Sequence, residues 1–391
     1  MTTQTAPTTD SIELPTGTLE LTSELVPAVR QILRNGLNDE FLRSCVRIGA
    51  FQQFGGGRKA SLVGGLRIDV HAVLKLGDAE LRRHVVTMNA INALRPRTFP
   101  LILDTVSPDG KRVFMLMEQL RGHGTLLSKV FDESTPTAHL SVILEKVVEA
   151  IRLMHSVRRD SDPLWECLPQ TPDPFTARLQ SKLLPALRHD KALSAVLQRP
   201  GRVLGIPCPP ATVLLARAAE VAKTLSARKP LSLVHGDPHL GNVMVRRNGK
   251  NAYRVRLIDP NPEIGFSQPL YDVGKLLHWS EPVGWAQAKP EVCRVSWRKG
   301  GRNSQWVLDA WCEGHSAAAE TRRAHVERFV RGFAESFRAS HGDLLSPAVA
   351  VAAASAHVGL VALLKGPANR TAKRFVLAHI LASLAAAFPA E

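Results

Sequence analysis

A change of texture near residue 120 divides this chain of 391 residues. Residues 41–77, FLRSCVRIGAFQQFGGGRKASLVGGLRIDVHAVLKLG, break short β-type runs with Gly55, Gly56, Gly57, Gly64 and Gly65. That is the pattern of a glycine-punctuated antiparallel meander. AELRRHVVTMNAINAL then places Leu81, Val85, Met88, Ile91 and Leu94 at helical spacing. PLILDTVS and RVFMLMEQL, separated by the turn Pro108-Asp109-Gly110, read as two further strands. Beyond Gly124 helical periodicity takes over, in LSVILEKVVEAIRLMHSV, PATVLLARAAEVAKTLSA and AAAETRRAHVERFVRGFAESF, with the β-like LSLVHGD and YRVRLIDP embedded among them. The expected fold class is α+β: a loose Thr-rich tail over 1–18, a lobe of small sheet plus helix over 19–120, and a mostly helical lobe over 121–391. ELVPAVRQILRNGL predicts one more helix, stopped by Asn-Gly.

Composition narrows the function classes. Five scattered cysteines (Cys45, Cys167, Cys208, Cys293 and Cys312) show no C-x-x-C spacing, so neither a disulfide framework nor a zinc ribbon is indicated, and a reducing cytoplasm fits. The N-terminus lacks the apolar stretch of a signal peptide. Charged residues interrupt the apolar segment from Pro347 to Phe388, and no membrane span is expected. The formal charge of +15 would attract anions, but its lysines and arginines are dispersed, aromatics are only 5%, and no nucleic-acid-binding pattern accompanies them. Nucleic acid is therefore disfavoured as a partner.

LVHGDPHLGNVMV, residues 233–245, concentrates the polar chemistry. Asp237 follows a strand-like run, Asn242 lies five residues on, and Asp259 ends the next run, VRLI. One carboxylate to orient an attacking hydroxyl, with an amide and a second carboxylate as hard oxygen ligands for magnesium, suits phosphoryl transfer. An Asp-Pro-His segment ending in Gly-Asn is equally good turn chemistry, so these residues alone fit a catalytic loop or a plain polar turn.

His235-Gly236-Asp237-Pro238-His239-Leu240-Gly241-Asn242, followed by Leu257-Ile258-Asp259-Pro260 and Tyr271-Asp272, resembles the signature of the aminoglycoside phosphotransferase and choline kinase-like family. The resemblance runs in order over roughly residues 40–390. It implies a two-lobed protein-kinase-like fold, with a small antiparallel-β N-lobe that binds nucleotide and a larger helical C-lobe that carries the acceptor site. It implies an ATP-dependent (or GTP-dependent) phosphotransferase for a hydroxyl of a small molecule: a sugar, aminocyclitol, aminoglycoside or nucleoside-like acceptor. Asp237 would be the catalytic aspartate, Asn242 and Asp259 the magnesium ligands, Asp272 a brace for the loop, and His235 structural.

On the nucleotide side, Gly55, Gly56 and Gly57 are candidates for a turn over the phosphates, although the run is neither G-x-G-x-x-G nor a Walker loop. Lys75, ending an apolar run, is the candidate phosphate-pairing lysine. The usual helix glutamate that steadies such a lysine would fall near His84; Glu80 is the nearest acid, and the partner of Lys75 stays open. FMLMEQL resembles the strand and hinge whose backbone meets adenine, with Glu118 and Leu120 at the crossover. Asp259-Pro260-Asn261 stands where protein kinases have Asp-Phe-Gly, and no H-R-D loop is present, which points to a small acceptor. Two competing readings remain: a silent kinase fold used for binding, and a dimetal phosphoesterase, which lacks the required Gly-Asn-His-Glu and Gly-His-x-His elements. Glu263, Glu281, Glu291, Asp309 and Glu313 are candidates to neutralise a cationic acceptor.

Overall fold

The computed structural model describes residues 9–14, 17–22, 51–55, 60–66, 72–107 except 79, and 113–389 except 121, 132–134, 162, 229, 250–251, 262, 300–304 and 315. The chain divides into two compact units: residues 1–123 with 256–262, and residues 124–255 with 263–391. The expected boundary near 120 is thus joined by an excursion that the sequence did not signal: the segment around Asp259 belongs to the first unit.

In the first unit, β1 (Thr9–Leu14) and β2 (Gly17–Thr22) form an antiparallel hairpin in the stretch expected to be a loose tail. A five-stranded antiparallel sheet follows, built from β3 (Phe51–Gly55), β4 (Ala60–Leu66), β5 (Ala72–Gly77), β6 (Ile102–Val106) and β7 (Val113–Glu118) in the order β3-β4-β5-β7-β6. The helix α1 (Glu80–Leu94) lies between β5 and β6 in sequence, and its Leu81 and Val85 pack with Val113, Met115, Met117 and Ile102 of the sheet. Met88 and Ile91 are buried as the periodicity predicts, whereas Leu94 is 57% exposed and ends the helix outside the core. The segment 256–262 is tethered by the Leu257 N–H to the Thr98 carbonyl at 2.9 Å and by the Arg256 guanidinium to the Arg97 carbonyl. The helix predicted over ELVPAVRQILRNGL falls outside the described residues.

The second unit starts with the short strand β8 (Gly124–Thr125) and the helix α2 (Thr137–Ser156), whose Leu140, Ile143, Leu144, Val147, Ile151 and Met154 form one buried stripe. Three short strands, β9 (Gln170–Thr171), β10 (Gly201–Val203) and β11 (Ile206–Cys208), precede α3 (Ala211–Ser226). Then come β12 (Ser232–Leu233), β13 (Val243–Arg247), β14 (Tyr253–Leu257, whose last two residues belong to the first unit), β15 (Phe266–Ser267) and α4 (Leu270–Ser280). The unit closes with β16 (Cys293–Arg298), β17 (Trp306–Cys312), α5 (Ala317–Glu335), α6 (Leu345–Leu363) and α7 (Arg370–Ala387).

Every residue of α4 is buried. It packs against α5 and α6, and α6 packs in turn against α7. Gly274 permits that contact, because a Cβ there would meet the Ala352 carbonyl oxygen of α6 at 2.4 Å. The stretch 338–363 is long and apolar enough to cross a membrane, contrary to the expectation that charges break up this region; 78% of its most apolar window is nevertheless buried inside the protein, as in a core helix.

This helical core also buries imidazoles. Burial, with Lys275 nearby, holds His278 well below the ordinary histidine value, while burial holds His357 down to about 3 and His379 to about 4. Burial pushes Glu281 up to about 7 against the opposing charge of Arg331, and its Oε2 lies 3.2 Å from His357 Nε2. A native histidine that refuses a proton which the unfolded chain accepts loses stability as pH falls below the unfolded value of 6.5. Glu281 works in the opposite sense, because the native state takes its proton between 7 and 4.5. Three histidines against one glutamate, with the half-buried His379 discounted, leave one to two protons taken up on unfolding. Stability should therefore fall by about 1–3 kcal/mol per unit between pH 6 and 5. Urea unfolding across that window checks this, and a flat profile would contradict it.

Candidate active site

The loop His235–Asn242 is held by one face of α4. Asp272, in the first turn of that helix and wholly buried, accepts the backbone N–H of His235 at 2.9 Å and of Gly236 at 2.8 Å, and its Oδ2 lies 3.0 Å from His155 Nε2. Gly236 adopts φ +77°, a left-handed conformation that glycine takes without strain. His235 is fully buried, and its Nδ1 accepts the N–H of Asp237 at 3.2 Å. His239 caps the 3-10 turn Leu240–Asn242 by accepting the Gly241 N–H at 3.0 Å.

Asp237 is one-third exposed, with Lys275 Nζ 2.9 Å from its Oδ1 and His239 Nε2 3.9 Å from its Oδ2. Burial alone would raise its pKa, but Lys275 and His239 overcome that and hold the carboxyl at about 2. It is therefore a carboxylate throughout the neutral range and a weak base, suited to orient a hydroxyl and to take its proton only late. Asn242 donates Nδ2 to the Asp237 carbonyl at 2.9 Å, which leaves its Oδ1 as the atom suited to a cation.

Lys275, in contact with Asp237, is the candidate-site residue that sequence reading missed. It sits three residues after Asp272 on a fully buried helix, so the two side chains share a face, and its own side chain is only 7% exposed. The available signal was a lone lysine in the apolar run YDVGKLL, three residues beyond a motif aspartate.

In the first unit, Lys75 on β5 lies opposite Met115 of β7, is buried, and places Nζ 2.7 Å from Asp259 Oδ1. The partner left open between Glu80 and other groups is thus Asp259. Glu80 begins α1, where its N–H donates to Asp78 Oδ1 at 2.8 Å, and the position expected to be acidic is the buried His84. Asp259 has φ +51°, an uncommon conformation for a non-glycine residue, and its side chain is 46% exposed. Strain of this kind collects at functional sites.

Of the candidate phosphate glycines, Gly55 ends β3 beside a register irregularity opposite Val63, while Gly56 and Gly57 lie outside the described residues. Glu118 ends β7, with its N–H donated to the Leu101 carbonyl at 2.8 Å and its carboxylate accepting the Leu101 N–H at 3.3 Å. The Leu120 carbonyl accepts the His123 N–H at 3.3 Å. No group of three or more His, Cys, Asp or Glu side chains poised for a metal occurs among the described residues. Taken singly, the Asn242 amide oxygen and the Asp259 carboxylate are hard oxygen donors of the kind magnesium takes, one or two from protein and the rest from phosphate and water.

A five-stranded antiparallel sheet with one helix in the first unit, and a mostly helical second unit bearing a braced H-G-D loop, define a protein-kinase-like phosphotransferase fold. The profile of the phosphotransferase enzyme family matches residues 76–292, a span that contains Asp237, Asn242, Asp259 and Asp272. The match covers more than half of the chain, and the chain belongs to that family. No curated protein matches.

Among solved structures, a thermostable mutant of aminoglycoside phosphotransferase APH(4)-Ia in apo form is 14% identical, with a TM-score of 0.54 over 91% of this chain and 99% of that one. A thermostable mutant of the same enzyme in ternary complex with ADP and hygromycin B is 13% identical, with a TM-score of 0.53 over 93% and 99%. A Ralstonia eutropha protein assigned to the aminoglycoside phosphotransferases is 14% identical, with a TM-score of 0.51 over 94% and 99%. At these identities the likeness establishes the fold alone.

Proposed function

We propose that this chain is an ATP-dependent kinase that phosphorylates a hydroxyl of a small molecule in the cytoplasm. Asp237 orients the hydroxyl and accepts its proton late, Lys75 pairs with nucleotide phosphate, and Asn242 and Asp259 hold magnesium. Bound magnesium supplies charge neutralisation on the phosphate oxygens. The carrying observation is the braced loop: a buried carboxylate, Asp272, gathers three hydrogen-bond partners around the residues just before Asp237, and Lys275 fixes Asp237 itself. A plain polar turn needs none of this.

In this reading Asp259, whose side chain is half exposed, would be a residue that holds magnesium, and Lys75, its present ion-pair partner, would pair with nucleotide phosphate. Asp259→Asn should weaken magnesium-dependent nucleotide binding about 10-fold or more, a loss of at least about 1.4 kcal/mol. Calorimetry of ATP binding with and without Mg²⁺ checks this, and an unchanged Mg²⁺ dependence would contradict the ligand role.

The acceptor is neutral or anionic rather than polycationic. Of the five carboxylates that could have matched a cationic acceptor, three already face arginines: Glu281 is buried and paired with Arg331, Glu313 pairs with Arg294, and Asp309 lies 3.8 Å from Arg298. Lys275 adds a cation beside Asp237. A library of hydroxyl compounds, screened with ATP and Mg²⁺ for ADP release, tests the proposal: sugars and other neutral polyols should release ADP, and aminoglycosides should not. Nucleotide binding without ADP release from any acceptor would favour the silent binding fold instead.

A further inference from the structure

The C-terminal end of α6 and the N-terminal end of α7 form a cavity with the segment around Asp190. Its volume is about 780 Å³, within the range of small-molecule sites. Buried Ala186, Val361 and Leu364 contribute apolar surface, and the charged lining is almost entirely cationic: Lys191, Lys365, Arg370, Lys373 and Arg374. The single carboxylate on the described wall, Asp190, is taken by Arg374, which donates Nε at 2.7 Å and Nη2 at 2.8 Å to its two oxygens. Among the described residues, none of the other four cations has an ion-pair partner.

Two of those four stand where the fold itself disfavours them. Arg370 and Lys373 occupy the first turn of an 18-residue helix that has no acidic residue in that turn and no side-chain cap from Asn369. The positive end of a helix repels cations and attracts anions. Converging positive side chains at a concave, partly apolar site, added to an unfavourable helix position, make sense when an anion occupies the cavity.

We propose that this cavity binds a phosphate-bearing small molecule through Lys191, Lys365, Arg370 and Lys373. Concave shape and bounded volume match a small ligand rather than an extended polyanion. The four cations supply charge-assisted donors of the kind that phosphate oxygens accept. The site is built wholly from the second unit and is separate from the residues assigned to phosphoryl transfer.

Inorganic phosphate and pyrophosphate, titrated into the full chain at fixed ionic strength, test the proposal by NMR and thermal unfolding. Both readouts are independent of turnover, so failure here is distinct from failure of the kinase reading. Phosphate should shift the amides of 190–192 and 370–374 and raise Tm. An Arg370→Ser/Lys373→Ser double variant should weaken phosphate binding about 10-fold or more, which corresponds to losing charge-assisted contacts. The same variant should have a higher Tm than the wild type without phosphate, because like charges at the helix start are removed. Lys75→Met should leave this binding intact. If the double variant does not fold, Lys365→Ser, beyond the end of α6, reads the same loss. Equal shifts with matched chloride, unweakened binding in the cation variants, or loss of binding in Lys75→Met would each overturn the assignment.

Discussion

Asp237→Ala should reduce turnover by about 10²–10⁴-fold, the range for removal of a positioned acid–base group, while ATP affinity stays within about threefold. The asymmetry follows from where the carboxylate acts. Asp237 is held by Lys275 and His239 with its carboxyl at about 2; in the proposed reaction it would give the acceptor hydroxyl an orienting hydrogen bond and take its proton only as the phosphoryl group arrives. Lys75 and Asp259 belong to a different part of the chain and keep their own ion pair in this variant. Steady-state kinetics beside equilibrium nucleotide titration separates the two effects. Wild-type turnover in Asp237→Ala would remove the residue from the mechanism.

The largest stability effect should come from Asp272→Ala. That side chain is fully buried and accepts two backbone N–H groups, with His155 Nε2 at 3.0 Å as a third partner. Removing it leaves buried polar groups unsatisfied, each costing about 1–3 kcal/mol, for a total of about 4 kcal/mol or more. Asp272→Asn keeps the volume and one acceptor but turns an NH₂ toward a donor, so about half that loss is expected. Activity should fall in parallel, because His235 and Gly236 set the direction in which Asp237 leaves the strand. Urea unfolding of the two variants checks the order, and an Asp272→Ala protein within 1 kcal/mol of wild type would show that the brace is not needed.

What could be read in the sequence was local. The H-G-D-x-H-x-x-N spacing, the second aspartate at 259 and the helix aspartate at 272 all lie within a few dozen residues, and turn chemistry and periodicity operate on that scale. Alternating runs broken by glycine marked the sheet, and the 3.6-residue rhythm marked α2 and α3 as well as α1 up to Leu94. Contacts between distant positions were not legible. Lys75 finds its partner 184 residues away at Asp259, and no local pattern distinguishes that choice from Glu80. Lys275 looked like one polar residue in an apolar helix, because its role depends on a three-dimensional neighbour.

Hydropathy could not by itself name the surroundings of the longest apolar stretch. The stretch 338–363 carries its apolar residues for packing against α4 and α7, and burial within the protein gives the same composition as burial in lipid. At the N-terminus, Thr-rich composition suggested a loose tail, yet the backbones of Thr9–Leu14 and Gly17–Thr22 pair as the β1–β2 hairpin.

The most direct test follows the γ-phosphoryl group by ³¹P NMR, with the full chain, ATP, Mg²⁺ and an acceptor found by ADP release. A phosphomonoester resonance should grow one for one with ADP in the wild type and be lost in Asp237→Ala with ATP still bound. Release of inorganic phosphate alone, or equal phosphomonoester from the variant, would contradict hydroxyl phosphorylation directed by Asp237.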